Sequence, residues 1–246
     1  MKLTGVEAVA FDVNGTLVDI RTEEHREDAF RAVGHYLNYQ GIHLRRQAIH
    51  DMYFARLKQQ QRDSPEEFPE FDAVAIWGSI VVDHATDYTH ALPPDRIAAL
   101  PQTLAELYRG VSRHKLKRYP HVRSTLGALC DRYPLAVVSD GQKAYARAEL
   151  HKVDLTQYFG PIVVSGEHGF RKPDRRLFQY ALDAMGVPAE KTVYVGNDMY
   201  RDVYGAREMG MRTVMFDSDQ GTKVHQDCRP DFTITDHRDL LAILGG

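Results

Sequence analysis

Cysteine is scarce: Cys130 and Cys228 are the only two in 246 residues, and they lie far apart. No CxxC pair or Cys-rich zinc spacing exists, and the count excludes a disulfide framework. Two buried, unpaired thiols in a reducing cytoplasm are the expectation. Long apolar runs are also missing. None approaches the roughly 20 residues of a membrane span, and the opening Met1-Lys2-Leu3-Thr4-Gly5 holds no stretch of signal-peptide length. Charge of one sign is not in excess: 31 Lys and Arg face 34 Asp and Glu, a formal net charge of −3. Neither nucleic acid nor an anionic membrane is the expected partner. Neither GxGxxG nor GxxxxGK[ST] occurs, which removes the common nucleotide fingerprints. Twelve histidines form no HExxH pair, so surface and helical-module roles are expected for them.

What remains is an ordinary globular composition, 43% apolar and 26% charged. At roughly 100–200 residues per domain, one or two domains are expected. Six short, Val-rich runs read as buried strands: Val6–Val13, Leu135–Ser139, Ile162–Ser165, Thr192–Gly196, Thr213–Phe216 and Phe232–Thr235. Helical patterns lie between the later ones. Val122, Leu126 and Leu129 share a face. So do Leu177, Ala181, Leu182 and Met185, with Pro173 near the start and Gly186 at the stop. Alternating strands and helices predict an α/β core with a mostly parallel sheet. Ligands of such sheets sit beyond the carboxyl ends of the strands, where Asp12, Ser139 and Asp198 fall.

Residues 18–114 break the alternation and carry almost no strand signal. Four helices are predicted there, near Thr22–Gln40, Arg45–Asp63, Phe71–Tyr88 and Asp95–Arg113, punctuated by Pro65, Pro69, Pro93 and Pro94. The third is the most apolar, with Phe71, Val74, Trp77 and Val81 on one face, so it is expected at the centre of a bundle. The organisation is then 1–17 and 115–246 as the α/β core, with 18–114 as an inserted all-helical cap. The basic run from Arg113 to Arg118 reads as a solvated hinge where the cap returns.

Four polar segments each follow a core strand or open a core helix: Phe11-Asp12-Val13-Asn14-Gly15-Thr16-Leu17, Val138-Ser139-Asp140-Gly141, Arg171-Lys172-Pro173-Asp174 and Val195-Gly196-Asn197-Asp198 with Asp202. Singly, each has an ordinary use as a turn, cap or helix start. Together they make a nucleophile site. A carboxylate such as Asp12 can attack phosphorus or carbon and split one hard displacement into two easier ones. Attack on a phosphoryl group needs its charge neutralised, which a lysine and a divalent metal can do.

In this order the four segments resemble the motifs of the haloacid dehalogenase-like (HAD) superfamily, and the insertion resembles its helical cap. The resemblance implies a Rossmann-like parallel-sheet core with an inserted all-helical cap domain. It implies that Asp12 is the nucleophile, that Ser139, with Asp140 and Gly141, binds phosphate, and that Lys172 orients nucleophile and phosphate. It further implies Mg2+ held by Asp12, the Asn14 carbonyl and Asp198, with Asp202 in support, and a small phosphorylated metabolite as substrate. Two positions depart. Asn14 stands where the family's phosphatases carry the aspartate that shuttles protons, a role typically worth ~10²–10⁴ in rate. Asn197 stands where many relatives carry an acid, which leaves Asp198 as the expected metal ligand.

Asn14 leaves several readings open. The leaving group is good enough to need no acid, as in an acyl phosphate. Or the cap supplies the acid, with Asp19 and His25 as candidates. Or the chemistry is that of a 2-haloacid dehalogenase, which attacks carbon without metal. Or the chain binds a phosphorylated ligand with weak turnover, or Asn14-Gly15 deamidates to aspartate. Retention of Asp198 and Asp202 favours the metal-dependent phosphatase. Arg21, His25, Tyr53 and Trp77 are the cap residues expected to touch substrate. Oligomeric state has no signal in the sequence.

Overall fold

The computed structural model describes residues 2–245; Met1 and Gly246, the ends of the expected core segments, lie outside the described residues. Six strands, β1 (Ala8–Phe11), β4 (Leu135–Ser139), β5 (Ile162–Val164), β6 (Thr192–Gly196), β7 (Arg212–Phe216) and β8 (Phe232–Ile234), form one sheet. Its order is β5-β4-β1-β6-β7-β8 and every pairing is parallel. The chain steps from β1 to one neighbour and later to the other, so β1 sits at the reversal of strand order. The crevice beyond its carboxyl end is where such folds bind ligands.

Strand alternation divides the core. Val9, Phe11, Val137, Val193, Val195 and Val214 pack on one face with α6 (Val122–Cys130) and the C-terminal α10 (Asp239–Ile243). Ala10, Ala136, Val138 and Tyr194 face α8 (Arg175–Met185) through Leu177, Phe178, Ala181 and Leu182. Both faces are covered, which is why these strands read as continuous apolar runs. Asp174 caps α8 by accepting from Arg176 N at 3.0 Å, and Gly186 ends it in the left-handed region at φ 67°.

The insertion packs its own core from α1 (Glu27–Asn38), α2 (Arg46–Asp63), α3 (Ala73–His84), a short α4 (Asp87–His90) and α5 (Pro94–Ser112). As its apolar pattern predicted, α3 is central, with Trp77, Ile76 and Ile80 fully buried. The expected helix over Phe71–Tyr88 is interrupted at Ala85–Thr86, and that over Thr22–Gln40 starts later.

Two expectations fail. Residues flanking the helices are strands: β2 (Val18–Thr22) pairs antiparallel with β3 (Arg113–Arg118), Ile20 opposite Leu116. The basic run is therefore half of a two-stranded ribbon and not a loose hinge. A ribbon of two short strands with mostly polar side chains carries no apolar alternation to announce it. Cys130 is exposed and Cys228 half-buried, so the expected burial of both thiols does not hold. No helix among the described residues is long and apolar enough to cross a membrane.

Candidate active site

Asp12 follows β1 directly, and its backbone N–H donates to Val195 O at 2.9 Å. The strand therefore delivers its carboxylate to the end of the sheet. Lys172 Nζ lies 2.7 Å from Asp12 Oδ1 and 2.6 Å from Asp202 Oδ1, with Tyr194 OH at 3.2 Å. All four side chains are buried. The Thr16 hydroxyl donates to Asp12 Oδ2 at 3.1 Å or to Asn197 Oδ1 at 3.0 Å, and so ties the nucleophile loop to the loop after β6. His237, buried beneath, bonds Thr16 O at 3.0 Å through Nε2. Burial pushes its pKa down to about 4, so it is neutral at ordinary pH and Nε2 carries the donated proton.

Electrostatics follow from that burial. Desolvation pushes the Asp12 carboxyl up to about 6, against the opposing pull of the Lys172 ammonium. Burial also works against the charge on Lys172, but Asp12 and Asp202 outweigh it and hold its pKa well above the ordinary value. Asp140 is raised by burial too. Its Oδ1 accepts from Lys172 N at 2.9 Å, while its buried Oδ2 accepts no hydrogen bond.

Two cavities meet at this carboxyl group. The smaller is lined by Asp12, Asn14, Asp140, Lys172, Asn197, Arg201 and Asp202. The larger, about 200 Å³, lies between core and cap and is lined by Asn14, Ser139, Asp140, Glu70, Arg109, Tyr145 and Arg171, among others. The structure thus brings together Asp12, Asn14, Asp140, Lys172 and Asp202, with Ser139 and Gly141 lining the larger cavity. It adds Thr16, Asn197 and Arg201, which sequence reasoning did not select for the site.

Asp198 is not brought in. Its Oδ1 accepts from Tyr200 N (3.0 Å) and Arg201 N (2.8 Å); its Oδ2 accepts from Thr222 N (2.9 Å) and Arg201 Nη2 (3.0 Å). Oδ1 thus caps the π-helical turn Met199–Tyr204 that leads into α9 (Gly205–Glu208), while Oδ2 is taken by the loop at Thr222 and by the Arg201 side chain. Asp202 Oδ2 in turn accepts from the N–H groups of Asn197 and Asp198, at 3.0 Å each. The Mg2+ set expected from Asp12, Asn14 and Asp198 therefore does not assemble, because the residue facing Asp12 from this loop is the carboxamide of Asn197. A neutral amide oxygen already bonded to Thr16 is a poor replacement for a carboxylate ligand.

The cap candidates fare differently. Asp19 is tied to Lys115 and to Arg21 (3.4 Å), and Arg21 to Asp219. His25 stacks on Phe54 and bonds His50, away from both cavities. Trp77 lies in the cap core, and Tyr53 lines a small pocket that shares Glu24, Phe71, Arg109 and Tyr145 with the larger cavity. What the cap does present is Glu70, Phe71 and Arg109. Arg109 is already forked onto Glu149 at 2.7 and 2.9 Å. These positions are scattered along the sequence and carry no common motif.

The chain thus combines a parallel sheet, a buried carboxylate with its lysine at the reversal of strand order, and a helical insertion over it. The chain belongs to the haloacid dehalogenase-like hydrolases, whose family model matches residues 6–210. It is 33% identical over 138 residues to a glyceraldehyde 3-phosphate phosphatase of Methanocaldococcus jannaschii, covering 56% of this chain and 60% of that protein. It is 30% identical over 177 residues to a phosphoserine phosphatase of Thermus thermophilus, covering 70% of this chain and 69% of the other. A 2-haloacid dehalogenase of Pseudomonas syringae pv. Tomato shares the fold at TM-score 0.71, with 22% identity and 98% of each chain covered. The first relative is thus matched over only three fifths of its length.

Proposed function

We propose that the chain hydrolyses a small phosphorylated metabolite through an aspartyl-phosphate on Asp12. The observation that carries this is the buried Asp12–Lys172–Asp202 array opening on the cavity shared with Asp140. An Asp12 oxygen attacks phosphorus, and the bond from phosphorus to the leaving oxygen breaks. Asp140 gives its proton to that oxygen. Water then attacks the aspartyl-phosphate, returning a proton to Asp140 and releasing Asp12 and orthophosphate. Lys172 stabilises charge on the transferring group throughout. Asp140 takes the proton role because Asn14 has no acidic proton, and Asp19 and His25 are engaged elsewhere. Asn14 Nδ2 instead lies 3.4 Å from Asp140 O, a contact that braces the acid's own loop.

The cavity of about 200 Å³ and its lining by Glu70, Arg109, Gln142, Tyr145 and Arg171 suit a short, polar, hydroxyl- or amino-bearing organic part. The sequence relatives, both phosphatases of small metabolites, favour the same class. A second reading, attack on the carbon of a 2-haloacid, draws on the missing acid at Asn14. A panel of alkyl, aryl and acyl phosphates and 2-haloacids separates the two. Phosphate release from esters, covalent phosphate on Asp12, and loss of both in Asp12→Asn are expected. Halide release with no phosphatase activity would replace this reading with the other.

A further inference from the structure

The loop after β6 holds a cation where the expected metal set fails. Asn197 is clamped there. A Cβ on Gly15 would come within 2.4 Å of its Nδ2, and one on Gly221 within 2.8 Å. Its Oδ1 accepts from Thr16, and its backbone N–H is held by Asp202. The carboxamide is therefore a fixed wall of the cavity and not a flexible ligand. Arg201 stands beside it, one turn beyond. Its Nη2 is 3.0 Å from Asp198 Oδ2, and its Nη1 is 3.6 Å from Asp140 Oδ2. The guanidinium lines the same cavity as Asp12 and Lys172, and its side chain remains 45% exposed.

These contacts leave several of its five N–H donors unused. A guanidinium presents them in a rigid plane that matches phosphate oxygens in pairs. Asp198 fixes one side of that plane, and Asp198 is itself fixed by three backbone N–H groups. The donor is thus preorganised. It needs no ion from solution and costs no reorganisation when charge develops on phosphorus.

We propose that Arg201 is the phosphate-binding cation of this site and that the site works without a divalent metal. This rests on the phosphate reading above. Asn197 and Arg201 then form one device: the carboxamide removes a metal ligand, and the guanidinium supplies fixed positive charge.

The test uses the full chain stripped of metal and titrated calorimetrically with orthovanadate, in EDTA and in Mg2+, and separately with Mg2+ alone. Wild type is expected to bind vanadate equally under both conditions and to take up no Mg2+. Arg201→Ala should weaken vanadate binding roughly ten- to a hundredfold, the usual range for a lost charged hydrogen bond. Arg201→Lys should keep part of the affinity, and melting curves of both check folding. The double variant Asn197→Asp with Arg201→Ala should acquire Mg2+ uptake and bind vanadate only with the ion. Uptake of one Mg2+ per wild-type chain, or vanadate binding that requires it, would overturn the metal-free site. Failure of every form to bind vanadate under any condition would overturn the phosphate reading, and the role of Arg201 with it.

Discussion

Gln142, in the loop after β4, accepts a hydrogen bond on its side-chain oxygen from the backbone N–H of Ala73, the first residue of cap helix α3, at 2.9 Å. The same carboxamide donates to Phe71 O at 2.7 Å and Glu70 Oε1 at 3.1 Å. The core loop that carries Ser139 and Asp140 is thereby fastened to the cap segment that walls the cavity. Glu70 N–H to Gly169 O and Arg171 N–H to Phe68 O, at 3.0 and 2.9 Å, fasten the next loop in the same way. These bonds hold the cap segment down on the core, and any opening of the cap there would break them.

Gln142→Ala should loosen that fastening. Three bonds are lost, at about 0.5–1.5 kcal/mol net each. Hydrogen exchange is expected to quicken across residues 70–76, with KM rising more than kcat falls. Unchanged protection there would mean that the cap is held elsewhere.

Asp140→Asn keeps the acceptor for Lys172 N but removes the proton. Hydrolysis of alkyl phosphates should drop about a hundredfold or more, the usual size of general acid–base catalysis. Aryl and acyl phosphates, with good leaving groups, should lose little. Asn14→Asp added to this variant should recover part of the alkyl activity, because it offers a carboxyl group on the same cavity. A loss of equal size on every substrate would assign Asp140 to positioning alone.

The pH dependence of Asp12 has a definite sign. The nucleophile must be ionised, and burial raises its pKa to about 6. Activity should therefore fall tenfold per unit as pH drops below about 6, and fall again at higher pH as Asp140 loses the proton it donates. A carboxyl resonance of labelled Asp12, followed by carbon NMR without substrate, should titrate at the same place, which separates it from ionisation of the substrate's phosphate. Titration near the ordinary aspartate value would mean that the lysine dominates over burial.

Lys172→Met leaves Asp12 and Asp202 buried without their shared cation. Removing one partner of a buried ion pair costs about 3–5 kcal/mol, so a large fall in melting temperature is expected along with lost activity. The loss of stability should shrink as pH falls below about 6, where Asp12 becomes neutral. A variant as stable as wild type at neutral pH would show that water reaches the pair.

Much of this was legible in the residues. Asp12 had to sit at the end of β1, because the apolar run before it stops there and a buried parallel sheet exposes only its ends. Lys172 was readable only through the family resemblance, since Lys-Pro-Asp by itself is an ordinary helix start. Asp198 misled for a physical reason. It adjoins Asn197 at the end of β6, and the backbone turn into a π-helical segment decides which of two neighbours faces Asp12. Arg201 needed that same turn to be known. The cavity walls from the cap come from residues far apart in sequence, Glu70, Arg109 and Tyr145, which only packing brings together. The ribbon escaped notice because Val18–Thr22 and Arg113–Arg118 are largely polar and pair with each other, away from the main sheet.

That ribbon sets how exchangeable the insertion is. The chain leaves the core at Val18 and comes back at Arg118, and these two residues are partners in one antiparallel pair. To the core, everything between them is the tip of a hairpin. A tight two-residue turn in place of residues 23–112 would leave the main chain of the core continuous, since hairpin turns join just such strands. A foreign helical module with closely spaced ends would splice in at the same place at little entropic cost, because closure depends only weakly on the length enclosed. The insertion is thus spliced into the chain of the core at one double-stranded seam, while the bonds of Gln142, Gly169 and Phe68 fasten it away from that seam.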